Sequence, residues 1–213
     1  MINVKKFTFN FVEVNTYVVY DETKEAVIID CGCLEEREQR ELTGFIEQEG
    51  LKVKHLLNTH LHLDHAFGNS FASETFGLRP EGNKLEEDEL PNLQQQAARF
   101  GMQLSLPSVT FGSYLNEGDI VAFGDTSLAC LSVPGHSPGS LAFYSKDGIC
   151  VFSGDALFQG SIGRTDLWGG NFNTLISAIR SRLLTLPDST VVYSGHGPET
   201  TIGDEKRHNM YLR

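Results

Sequence analysis

Long apolar runs are missing from this 213-residue chain, and no stretch approaches the roughly 18–20 consecutive apolar residues that a membrane span needs. An export signal is missing too. Lys5 and Lys6 are followed by a segment that Thr8, Asn10, Glu13 and Asn15 interrupt, not by an apolar core. The expectation is a soluble, cytoplasmic protein with no membrane partner. Basic residues are also scarce, with 17 Lys and Arg against 28 Asp and Glu and a formal net charge of -11. Phosphate-rich surfaces are met with clustered Lys and Arg, so this balance argues against nucleic acid and leaves small molecules as partners. Cysteine is sparse. Cys31-Gly32-Cys33 is one residue short of the redox or zinc spacing, and Cys130 and Cys150 sit inside apolar runs, so all four read as reduced buried or loop thiols. No internal repeat or low-complexity stretch divides the chain, which reads as a single domain over 1–213.

Hydrophobic residues make up 40% of the chain, enough for an ordinary globular core. Val4 to Phe11, Val14 to Tyr20 and Ala26 to Asp30 read as an antiparallel meander, followed by a helix from Leu34 to Glu49 that Gly50 stops. Val53 to Leu57 reads as a strand, and a helix carrying Phe67 and Phe71 ends near Gly77. Between Glu81 and Phe100 an acidic run, Glu86 to Glu89, leads into Leu90, Leu93, Ala97 and Phe100. That segment reads as a solvated surface helix, with a lid over a pocket as the alternative. The second half repeats the scheme. Three β-type runs lie between Asp119 and Ser145 and a fourth at Ile149 to Ser153. A helix capped by Asn171 or Asn173 and a strand at Val191 to Tyr193 complete it. Two successive β-then-α halves suggest sheets inside and helices outside.

The densest chemical signal is Thr59-His60-Leu61-His62-Leu63-Asp64-His65. In near-extended backbone, residues i and i+2 point the same way, so His60 and His62 address one point in space. Where the chain turns into the following helix, Asp64 and His65 face a second point, as a two-metal site requires. His136, Asp155 and His196 each follow an apolar β-run and a glycine: Val133-Pro134-Gly135-His136, Phe152-Ser153-Gly154-Asp155 and Tyr193-Ser194-Gly195-His196. Loops leaving strand ends are where a rigid sheet presents functional side chains. Five His and two Asp make an imidazole and carboxylate donor set suited to zinc, iron or manganese rather than calcium.

The order and spacing of these seven residues resemble the metallo-β-lactamase-fold hydrolases, over essentially the whole chain. The resemblance implies an α/β fold, a four-layer αββα sandwich of two mixed sheets flanked by helices. It also implies two divalent metal ions, zinc first and iron or manganese as alternatives. His60, His62 and His136 would hold one, Asp64, His65 and His196 the other, and Asp155 would bridge them. Within that family, Phe158-Gln159-Gly160-Ser161-Ile162-Gly163-Arg164-Thr165-Asp166 after Gly154-Asp155 is similar to the glyoxalase II-like branch. The short stretch after His196 is similar to its compact, single-domain members, which lack a long helical extension. The implied activity is hydrolysis of a small thioester such as S-lactoylglutathione by water activated on the metals, with Asp64 and Asp155 as the catalytic carboxylates. A mononuclear iron persulfide dioxygenase and a hydrolase of another small ester or lactone stay open as alternatives. An anionic substrate, a glutathione conjugate for example, needs local positive charge, for which Arg164, Lys206 and Arg207 are the candidates, and Tyr17 is a candidate for the pocket border.

Overall fold

A computed structural model describes residues 2–104, 107 and 109–213. The chain opens with β1 (Asn3–Phe9), β2 (Val14–Tyr20) and β3 (Glu25–Ile29), an antiparallel meander as its alternating apolar pattern requires. Helix α1 (Glu36–Gln48) crosses over to β4 (Lys52–Leu57), which pairs parallel to β3. The capping box at Glu35 and Glu38 starts α1, and Leu42 and Ile46 are buried on its inner face. After β4 come two helices, α2 (Leu63–Ala66) and α3 (Asn69–Phe76), where the apolar spacing predicts one; the chain breaks at Phe67-Gly68. Gly68 is locked there, because a Cβ on it would lie 2.6 Å from the Cys33 sulfur and 2.7 Å from that of Cys31. Strand β5 (Pro80–Gly82), helices α4 (Lys84–Glu89) and α5 (Leu93–Arg99), and strand β6 (Ser113–Tyr114) complete the first sheet, in the order β1-β2-β3-β4-β5-β6.

The second sheet begins with β7 (Ile120–Phe123), β8 (Thr126–Ser132), β9 (Leu141–Ser145) and β10 (Cys150–Gly154), all antiparallel neighbours. A small ribbon, β11 (Leu157–Phe158) and β12 (Ser161–Ile162), leaves the end of β10. Helix α6 (Phe172–Ala178), capped by the Asn171 side chain on Thr174, runs into a wider π-type turn at Ile179–Leu183. Strand β13 (Val191–Ser194) then pairs parallel to β10, and β14 (Thr200–Thr201) and helix α7 (Ile202–His208) follow. The order is β14-β13-β10-β9-β8-β7, so each sheet is mixed and six-stranded.

Side-chain alternation along the strands builds the layers. Tyr17, Val19, Val27, Ile29 and Leu57 of the first sheet meet Phe123, Leu128, Phe143 and Phe152 of the second in the central core. The opposite faces are covered separately. Val18, Ile28 and Leu56 pack under Leu42, Ile46 and Ala72 of α1 and α3, while Val151 and Val192 pack under Leu175, Ile179, Leu183 and Ile202. The result is the expected αββα sandwich. All four cysteines are buried free thiols. Among the described residues no helix is long and apolar enough to cross a membrane.

Candidate metal centre

The carboxyl ends of β3, β4 and β10, the loop between β8 and β9, and the loop after β13 open onto one edge of the sandwich. His60 and His62 follow β4, and Asp64 and His65 begin α2. His136 lies between β8 and β9, Asp155 directly follows β10, and His196 follows β13. Two glycines allow the close approach. Gly154 has φ +49, and a Cβ on it would lie 2.7 Å from that of Thr59; a Cβ on Gly195 would strike the Asp155 carboxylate and lie 2.6 Å from His65 Cε1. The His196 loop is also pinned from the first sheet. The Asn15 amide donates to the Gly195 carbonyl at 2.7 Å, and its side chain donates to the carbonyls of Ser194 and Gly197.

Two three-residue sets have their donor atoms within 4.8 Å of one another, His60 with His62 and His136, and Asp64 with His65 and His196. His62 Nδ1 lies 2.8 Å and His60 Nε2 3.3 Å from His136 Nε2. Partners on the far side of the rings fix which nitrogen carries the proton. The Thr59 hydroxyl donates to Asp30 and therefore accepts from His60 Nδ1, leaving a lone pair on His60 Nε2. The Arg164 carbonyl only accepts, so His136 donates from Nδ1 and also turns a lone pair inward. Burial keeps these imidazoles neutral, pushing all three below the usual histidine range and His62 to about 3. The inward lone pairs of His60 and His136, 3.3 Å apart, repel unless a cation sits between them, as in a metal site built on histidine.

The second set is richer in negative charge. His65 Nε2 lies 3.2 Å from Asp155 Oδ1 and 3.6 Å from Asp64 Oδ2, and His196 Nε2 lies 3.1 Å from Asp64 Oδ2. Burial opposes a charge on His65, yet the facing Asp155, Asp64 and Asp30 carboxylates outweigh it and raise its pKa. Burial likewise favours the neutral acid at Asp155, but His65 and the neighbouring imidazoles prevail and hold it ionised. His65 Nε2 and Asp155 Oδ1 are buried with no hydrogen-bond partner. Asp155 Oδ2 lies 3.7 Å from both His136 Nε2 and His196 Nε2, so its carboxylate stands between the two sets. These residues fit a pair of divalent cations in donor chemistry and in charge.

The sequence reading missed the residues that orient this centre. Asp30, at the end of β3 with φ +52, accepts from the Thr59 amide and hydroxyl and from His65 Nδ1–H at 2.7, 2.7 and 2.9 Å. It is close enough to His60 and His65 to form a third donor set, but both its oxygens are already engaged, so it orients His65. Its signal was the strand-end pattern already used for Asp155, an acid closing the apolar run Val27-Ile28-Ile29. Glu86 was expected in a solvated face and is instead 1% exposed. It accepts from the Leu61 amide at 2.8 Å, the Ser137 hydroxyl at 2.7 Å and the Gly139 amide at 2.6 Å, binding the loop of His60 and His62 to the loop of His136.

The centre floors a cavity of about 410 Å³, lined by His62, Asp64, His136, Asp155 and His196 together with Gln96, Phe100 and Arg164. Three of the expected substrate residues lie elsewhere. Tyr17 is in the central core, its hydroxyl donating to the Ser194 carbonyl at 2.6 Å and its ring 5.2 Å from that of Phe152. Lys206 and Arg207 stand on α7 and pair with Asp188 and Asp204, away from the cavity. Arg164 does reach the cavity, but both arms of its guanidinium are held by Asp166 at 2.7 and 2.8 Å.

The model of the metallo-beta-lactamase superfamily matches residues 10–196, a range that takes in both donor sets. The chain belongs to the metallo-beta-lactamase superfamily. Among superfamily members it is 38% identical to hydroxyacylglutathione hydrolase GloC of Haemophilus influenzae, over 99% of this chain and 98% of that protein. The crystal structure of BLEG-1 B3 metallo-beta-lactamase superposes with a TM-score of 0.87 at 35% identity, covering 100% of this chain and 99% of that one. The crystal structure of TTHA1623 in a di-iron-bound form gives 0.85 at 35% identity, covering 98% of this chain and all of that one. The two mixed sheets flanked by helices are the fold of these superfamily members, and the chain carries His and Asp groups that could hold metal at one edge of the sandwich.

Proposed function

We propose that this protein hydrolyses a small thioester or ester, with His60, His62 and His136 holding one divalent metal ion, Asp64, His65 and His196 a second, and Asp155 between them. The observation that carries this reading is the convergence of seven buried or half-buried donors, five of which line the floor of one open cavity. The likeness to hydroxyacylglutathione hydrolase GloC supports the thioester. When bound, a zinc pair supplies a Lewis acid for the substrate carbonyl and lowers the pKa of water to about 7.

The protein's own groups do the rest. Asp64 and Asp155 stay ionised in the resting site and orient the attacking water. The water oxygen bonds to the acyl carbon, the carbon–sulfur bond breaks with its electron pair on sulfur, and the water's proton leaves through the cavity mouth. A thiolate whose conjugate acid has a pKa of about 8.5 departs without a general acid, and no spare one lines the cavity among the described residues.

The test combines metal analysis of freshly purified protein with a panel of thioesters, S-lactoylglutathione first, followed by thiol release. About two metal ions per chain, loss of turnover after chelation and recovery with zinc are expected. One iron per chain with oxygen uptake on glutathione persulfide would replace hydrolysis with persulfide oxidation.

A further inference from the structure

The cavity wall above the metal centre is almost entirely apolar. Phe11, Phe67, Phe100, Met102, Phe158 and Leu167 line it. Phe11 is 61% and Phe100 44% exposed, so the mouth keeps two large aromatic rings in water. Such rings grouped at one opening mark a binding surface rather than scattered surface noise. They also reach the chemistry. The Phe158 ring lies 6.3 Å from that of His196, Phe11 is 6.1 Å from Phe67, and Phe100 meets Trp168, whose ring is 6.3 Å from His62.

Charge inside the cavity points the same way. Arg164 is the one Lys or Arg among its described lining residues, and Asp166 neutralises it through two hydrogen bonds. Glutathione brings two carboxylates. Set against the phenylalanine wall above the metal-holding floor, with no unpaired Lys or Arg among the described lining residues, a carboxylate loses hydration and gains nothing in return. An uncharged alkyl or aryl group gains on entry instead.

On the hydrolase reading above, we infer that the preferred substrates are uncharged thioesters or esters with an apolar chain or ring of about four to eight carbons beside the scissile bond, a size that a cavity of this volume accommodates. Glutathione conjugates are the poorer class. Transfer of each methylene from water to the wall raises kcat/KM by about fourfold until the cavity is full.

The experiment uses the metal-loaded protein and two series. One runs from acetyl to octanoyl thioesters of the neutral thiol N-acetylcysteamine, and the other takes acetyl thioesters of neutral thiols of growing length. The expected result is a steep rise in kcat/KM along at least one series, ending at least tenfold above S-lactoylglutathione. Cleavage without any rise in either series, or with S-lactoylglutathione preferred, overturns this inference and leaves the hydrolase reading standing. Failure to cleave any thioester overturns both. Asp166→Asn, at an exposed position, frees Arg164 and is expected to raise kcat/KM for S-lactoylglutathione at least threefold while leaving the neutral series unchanged; an unaltered glutathione rate overturns the charge argument.

Discussion

Replacing Glu86 by alanine removes a carboxylate that touches no proposed metal ligand yet joins the two loops that carry three of them. Its oxygens accept three hydrogen bonds, from Leu61, which sits between His60 and His62, and from Ser137 and Gly139, which flank Pro138 just after His136. Hydrogen bonds to a charged group contribute about 1.5–3 kcal/mol each, and an orphaned buried amide costs a further 1–3 kcal/mol or so. Against this, burial of the carboxylate is itself costly, as its raised pKa shows. The net loss in Glu86→Ala is about 3 kcal/mol. For a chain of 213 residues this lowers Tm by about 6–12 °C. Thermal unfolding of the metal-free protein measures that number, and chelator competition measures the second consequence. Without the brace, the His60, His62 and His136 set must be ordered by the metal itself, so its affinity falls more than about tenfold. The Asp64, His65 and His196 set is braced by Asp30 and Asn15 and changes much less. Glu86→Gln retains one carbonyl acceptor and gives an intermediate loss. A Tm within about 2 °C of the parent, or equal loss of affinity at both sets, would refute the reasoning.

Gly195→Ala places a methyl group against Asp155 and His65 without changing any donor, so turnover falls at least about 100-fold while circular dichroism stays native; activity within tenfold of the parent would sink the close-approach argument. Away from the centre, His55 Nδ1 and Glu81 Oε1 lie 2.6 Å apart. The hydrogen bond to Glu81 raises the His55 pKa; burial raises that of Glu81, but His55 outweighs it and lowers it. The raised histidine contributes stability below about pH 6.5 that is lost as pH rises through its folded pKa, and the lowered carboxylate contributes above about pH 4.3 and loses it as pH falls. The urea-midpoint difference between the parent and His55→Gln is therefore largest near pH 5.5 and shrinks by pH 9, at under about 1 kcal/mol because both groups keep contact with water; a difference constant over that range would contradict the assignment.

What was legible from the sequence was the local periodicity and the clustered chemistry. The meander of β1, β2 and β3 follows from alternation within single strands, and the strand-end pattern is enough to place His136, Asp155 and His196 beside the 60–65 segment. What was illegible depended on contacts distant in sequence. The acidic run at Glu86 looks like a water-facing stripe, and only the fold shows that α4 turns this one carboxylate inward to meet Leu61 and Gly139. The single helix expected over 81–100 is cut at Leu90-Pro91-Asn92, a break Pro91 itself announces, because the residue before a proline avoids helical backbone. Lys206 and Arg207 answer the need for positive charge by sign alone. Where α7 lies is set by packing, and it leaves both beside Asp188, with no α7 residue lining the cavity among the described residues.

The strap from Asn15 to the His196 loop bears on when the centre can exist at all. Each donor set draws on both halves of the chain: His60 and His62 wait for His136, and Asp64 and His65 wait for His196. During synthesis, then, the amino-terminal half carries only two of the three donors of each of these sets. The second set closes only after β13 has been laid beside β10 and the strand that began at Val14 has clasped the residues around Gly195. On the proposed assignment, the second donor set is thereby completed only together with the tertiary structure.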